Sequence, residues 1–98
     1  MRSYGVRMDI EEARQALGNR ITELREEQNI SLRRFALMVN LSKDYMVDLE
    51  KGRKSPTLDT IVKISAGFGI TPAQLLHGIA GPEPGDENPA PEYYHTRL

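Results

Sequence analysis

Apolar side chains recur at three- and four-residue intervals along most of this chain, the spacing of helices rather than strands. Ile10, Ala13, Leu17, Ile21 and Leu24 make the first stripe. Asp9 with Glu12 three residues on forms a capping box at its start, so a first helix is predicted from about residue 9 to Gln28, ending at Asn29. Gly18 is an interior weak point, costing up to ~1 kcal/mol against alanine. Ile30 is expected to pack under the turn that follows.

Behind Ser31, an N-cap by type, Leu32, Phe35, Ala36 and Val39 share one face of a second helix. Asn40 tolerates the left-handed backbone that ends helices. Ser42 can cap a third helix whose Met46 and Leu49 face inward. Two short helices crossing steeply need a small residue where they touch, and Ala36 supplies it. The stretch from Ser31 to Gly52 therefore reads as a helix-turn-helix.

Gly52 to Pro56 is a loop by composition. Thr57 can cap a fourth helix carrying Leu58, Ile61, Val62, Ile64 and Phe68, which at ~100° per residue span roughly 160°. So wide an apolar face predicts the central helix of a bundle, ended by Gly67 and Gly69. Thr71, Pro72 and Gln74 then start a short fifth helix with Leu75 and Leu76. Ile70, Leu75, Leu76 and Ile79 crowd into ten residues; they either close the core or form a surface for a second copy. The fold class is all-α.

Composition adds boundaries. The chain has 98 residues, 39% of them hydrophobic, with no cysteine and no tryptophan. That size makes one small domain, without disulfides or thiolate metal sites. Residues 1–8 read as an N-terminal arm, 9–80 as the domain, and 81–98 as a tail rich in Pro, Gly and acids, extended or disordered. Tyr93, Tyr94 and His95 in that tail are either a loose end or an aromatic anchor that docks on a partner or on a second copy of the chain. No apolar run is long enough to span a membrane, and no signal peptide is evident, so a cytoplasmic protein is expected.

Net charge is −1, yet its distribution is uneven. Residues 9–30 and 81–98 each carry −3, while residues 31–54 carry +3 from six cations against Asp44, Asp48 and Glu50. Positive charge thus gathers on the helix-turn-helix and the loop after it, where phosphates would lie. Catalysis finds no support: the two histidines, His77 and His95, are far from any nucleophile pattern, and the glycines make no phosphate-cradling motif. No cofactor, metal or small-molecule ligand is implied.

The ordered set LGNRI, LREEQNIS, Phe35-Ala36, DLEKG, the Pro56 turn and the GIT-to-LL close resembles the Cro and lambda-repressor-like (XRE-type) transcriptional regulators. The resemblance runs from Leu17 to Leu76, about sixty residues. It implies a five-helix bundle that binds double-stranded DNA, with the stretch before Leu17 an addition: a longer first helix or a separate short one. In such folds the second helix of the motif enters the major groove by its N-terminal, outward side. Ser42, Lys43, Asp44, Val47 and Asp48 are the base-contact candidates. Lys43 suits guanine or a phosphate, Asp44 cytosine N4, and Val47 a thymine methyl. Arg33, Tyr45, Lys51, Arg53 and Lys54 are the phosphate candidates. Leu32 stands where the family commonly has glutamine, and Asp44 and Asp48 where it usually has neutral or basic residues. Glu50 matches the family and is expected to pair back to the first helix, with Arg25 the candidate partner. The function expected is a sequence-specific DNA-binding regulator acting as a homodimer. The alternative is a protein-interaction or antitoxin-like module on the same scaffold, whose tail engages a partner.

Overall fold

Five side-chain caps set where the helices begin. In the computed structural model, which describes residues 8–79, the helices are α1 (Ile10–Glu27), α2 (Leu32–Met38), α3 (Lys43–Glu50), α4 (Leu58–Phe68) and α5 (Pro72–Leu75). Asp9, Ser31, Ser42, Thr57 and Thr71 each accept from the backbone N–H three residues on, at 2.8 to 3.2 Å. Each such cap is worth about 1 kcal/mol. Asp9 with Glu12 and Thr71 with Gln74 complete reciprocal boxes. There is no strand among the described residues.

The first four helices end by one device. Asn29, Asn40, Gly52 and Gly69 take positive φ, from 57° to 74°. The next residue then donates its N–H back five positions: Ile30 to Arg25, Leu41 to Ala36, Arg53 to Asp48 and Ile70 to Ser65, at 2.9 to 3.0 Å. In this arrangement the donor residue normally folds an apolar side chain against the helix it closes. Ile30, Leu41 and Ile70 do so and pack on the core. After α3 that position is Arg53, which stays exposed.

All five helices contribute to the core. Ile21 (α1), Phe35 (α2), Met46 (α3) and Leu75 (α5) are fully buried, and Ile64 (α4) nearly so. Burying each is worth about 1.5–3 kcal/mol. Phe35 and Phe68 stack with centroids 4.2 Å apart. α1 packs on α3 and α5, α2 on α3, and α4 on α5.

The structure decides between some alternatives and changes other expectations. The stretch before Leu17 belongs to a single long α1, which ends at Glu27 with Gln28 as its C-cap. Ile10 is 55% exposed and drops out of the stripe. The apolar face of α4 is narrower than the sequence suggests: Leu58 and Val62 face solvent, while Thr60 and Ser65 are buried beside Ile64 and Phe68. Gly67 lies inside α4, and Gly69 alone ends it. The α5 cluster closes the bundle, with Leu75 fully buried and Ile70, Leu76 and Ile79 packed against the core. The arm before Met8 and the tail over 81–98, with Tyr93 and Tyr94, fall outside the described residues.

Gly18 reverses sign as well. A Cβ there would meet the Leu49 carbonyl oxygen at 2.6 Å and the Glu50 carbonyl oxygen closer still. Glycine is what lets α1 touch the backbone at the end of α3. Gly18→Ala is therefore expected to lower stability by about 1–3 kcal/mol, although helix propensity alone favours alanine by up to ~1 kcal/mol. Urea unfolding measures this, and an unchanged or raised midpoint contradicts the close approach.

Candidate nucleic-acid interface

α3 is fixed from its inner side. Met46 and Leu49 are buried, which turns Lys43, Asp44 and Lys51 to solvent and leaves Val47 and Asp48 half-buried at the margin. At its C-terminal end the Glu50 carboxylate, only 8% exposed, meets Arg25 of α1. Nε donates to Oε2 at 2.8 Å and Nη2 to Oε1 at 2.9 Å. Thr22 donates to Oε1 at 2.8 Å, and Arg25 Nη1 reaches the Ile30 carbonyl at 2.9 Å. The hydrogen bonds with Glu50 raise the Arg25 pKa above its ordinary value against the opposing effect of burial. The expected pairing of Glu50 with Arg25 is thus present, two-pronged and nearly dry.

The candidate base-reading residues share the outer side of α3, but two have intramolecular work. Ser42 caps the helix, its hydroxyl accepting from the Tyr45 N–H at 3.1 Å. Asp48 Oδ1 accepts from Arg53 Nη1 at 3.3 Å. Lys43 and Asp44 stand in the first turn, exposed. Asp44 also sits at the N-terminal end of the α3 macrodipole, where a carboxylate is favoured.

The phosphate candidates are spread over α2, α3 and the loop after it. Lys51 is the C-cap of α3, and Arg53 and Lys54 follow on the loop. Arg33 lies exposed in the first turn of α2. Lys54 Nζ is 5.9 Å from the centroid of the Tyr45 ring, near enough for a weak cation–π attraction. Tyr45 is half-buried and turned toward α4, its hydroxyl 3.4 Å from Thr60 Oγ1.

One contributor has no signal in the sequence: the first turns of α1 hold the loop after α3. Arg14 Nε donates to Ser55 Oγ at 2.7 Å, across 41 positions. Gly52, at φ 74°, lies so close to Gln15 that a Cβ would stand 3.0 Å from the Gln15 Cα. The loop is thereby held by α1 at Gly52 and Ser55, and by Asp48 at Arg53. Among the described residues, no cluster of three or more His, Asp or Glu side chains is placed to hold a metal ion. No helix there is long and apolar enough to cross a membrane.

The sequence pattern of the helix-turn-helix family matches residues 21–75. The chain is 38% identical over 63 residues to the HTH-type transcriptional regulator DdrOP3 of Deinococcus deserti, covering 64% of this chain and 49% of that protein. It thus spans about half the length of that relative. It is 36% identical over 63 residues to the control protein C.MunI of a Mycoplasma species, covering 63% of this chain and 85% of the relative. It is also similar to the crystal structure of the restriction-modification controller protein C.AhdI from Aeromonas hydrophila. There the TM-score is 0.62 at 27% identity, over 63% of this chain and 94% of that one.

The loop brace predicts a local effect. Arg14→Ala is expected to speed amide exchange in the segment from Arg53 to Thr57, while global stability falls by no more than about 1 kcal/mol, the worth of one exposed hydrogen bond. Unchanged exchange in that segment shows that α1 does not hold it.

Proposed function

The chain belongs to the helix-turn-helix family whose pattern it matches over residues 21–75, and on that premise we propose that residues 9–80 are the DNA-binding domain of a transcriptional regulator. Proteins of this family are not enzymes, and neither is this chain. The domain reads specific double-stranded sequences as a homodimer, because one copy makes too few base contacts for high specificity. The observation that carries this reading is the outer face of α3, held from behind by buried anchors and bordered by the cations of the following loop.

Ser42, Lys43, Asp44, Val47 and Asp48 meet base edges; Arg33, Tyr45, Lys51, Arg53 and Lys54 meet phosphates. Two contributions carry a cost. Asp48 partly neutralises Arg53, and Asp44 faces the DNA as an acid. Binding therefore draws less on non-specific charge than a wholly basic helix would, and more on the match between bases and side chains.

Affinity for duplex DNA falls steeply with salt. If each copy neutralises about three or four phosphates, a log–log plot of the binding constant against salt has a slope of roughly −5 to −7. Gel shifts on genomic duplex fragments measure it; a flat response, or no complex at low salt, refutes DNA binding.

Position decides which substitutions alter sequence preference. Lys43→Ala changes the preferred sequence, with a discrimination loss of about 1–3 kcal/mol at one base pair. Arg53→Ala and Lys54→Ala weaken all sequences alike. Binding selections on the three variants test this, and a Lys43→Ala profile identical to that of the parent assigns Lys43 to a phosphate.

A further inference from the structure

The side of α1 that meets α3 also follows the chain as it leaves that helix. At ~100° per residue, Arg14, Gly18, Thr22 and Arg25 fall within an arc of roughly 80°. Thr22 and Arg25 hold the Glu50 carboxylate, and Gly18 lies against the carbonyls of Leu49 and Glu50. Gln15 then meets Gly52, and Arg14 reaches Ser55. Each step toward the start of α1 thus finds a residue further along the loop. The last step sets a guanidinium against the residue next to Lys54.

That guanidinium has more donors than the brace uses. Only Nε is taken up, by Ser55 Oγ at 2.7 Å. Nη1 and Nη2 have no hydrogen-bond partner among the described residues, and no carboxylate there forms an ion pair with Arg14, unlike Arg25 and Arg53. Ser55 is exposed, and because its oxygen accepts from Arg14 its own hydroxyl hydrogen is left to donate. A side chain held at Nε with its outer edge open is already ordered, so a phosphate that meets the edge freezes little further freedom.

From this we propose that Arg14 is a contact to the DNA backbone, its Nη groups and the Ser55 hydroxyl meeting one phosphate beside the loop after α3. The proposal rests on the DNA-binding reading and extends its surface to α1. Residue 14 lies outside residues 21–75, the span that the family pattern matches, so the contact comes from this chain's longer first helix. The local charge is mixed. Residues 9–30 carry −3, and Glu11 lies one turn before Arg14. Glu11 is exposed, however, and salt screens its effect. Arg14 alone on α1 is held against the basic loop by a hydrogen bond to it.

The test is the salt dependence of binding to genomic duplex fragments by the full chain and two variants, with thermal melting to confirm folding. Arg14→Ala is expected to reduce the magnitude of the log–log slope by about 0.9 for each copy bound, and to weaken all sequences alike. Arg14→Lys, which keeps the charge but not the planar fork, is expected to retain the parent slope. Arg14→Ala that binds more weakly with an unchanged slope leaves the arginine a brace only and overturns the proposal. An Arg14→Lys slope that falls as far as that of Arg14→Ala traces the loss to a loosened loop rather than to a missing charge, and overturns it too. A parent that forms no complex at low salt removes the DNA reading and this contact with it. A parent that binds while Arg14→Ala keeps its slope removes this contact alone.

Discussion

Glu50 ends α3 with its carboxylate nearly out of water, and a charge so placed must have partners. Arg25 and Thr22 of α1 supply them, and Arg25 spends a further donor on the Ile30 carbonyl in the turn before α2. One guanidinium thus ties α1, the turn into α2 and the end of α3 together. A buried ion pair is seldom worth more than apolar packing of the same volume, but loss of one member costs about 3–5 kcal/mol. Its contribution here is orientation. Met46 and Leu49 fix how deep α3 sits, whereas the two-pronged pair fixes its direction relative to α1, a geometry that apolar contacts alone define loosely.

That orientation depends on one absent side chain. Gly18 lets the α1 backbone approach the carbonyls of Leu49 and Glu50, and Thr22, one turn later, reaches the Glu50 carboxylate. Close approach and polar anchor therefore occupy successive turns of one helix face. Neither works without the other: a bulkier residue at 18 would lift α3 away from Thr22 and Arg25.

Features that depend on near neighbours were legible in the sequence. The five caps were readable because Ser, Thr and Asp stand three residues before the amides they satisfy. Asn40 and Gly69 announced helix ends for the same local reason. Pairing of Glu50 with Arg25 was readable through a family pattern rather than through spacing. What depends on distant neighbours was not legible. Gly18 and Gly67 read as helix breakers, but their partners are 31 and 28 or more residues away, at Leu49 and Val39. Leu58 and Val62 read as core because they extend an apolar arc, yet the neighbouring helices cover only the side marked by Thr60, Ile64, Ser65 and Phe68. Arg14 gave no sign at all, since its partner Ser55 lies in a loop 41 positions on.

The loop after α3 shows how this chain compensates for its departures. Leu32, in place of a glutamine able to reach a phosphate, packs on the core instead and offers no brace at the surface. The long α1 adds bracing from the other side, through Arg14 to Ser55 and Gln15 against Gly52, while Asp48 holds Arg53. An acid beside a cation proposed to meet phosphate weakens that attraction, but it also removes side-chain freedom that binding would otherwise have to freeze, about 0.5–1.5 kcal/mol for each long side chain immobilised. The two effects oppose each other and are of similar size. They differ in reach: the charge penalty applies to every duplex, whereas preorganisation helps only where the phosphates fall in register with the braced loop. A helix with two acids on its outer face and a loop held at three points therefore favours discrimination over strength in the DNA binding proposed for it.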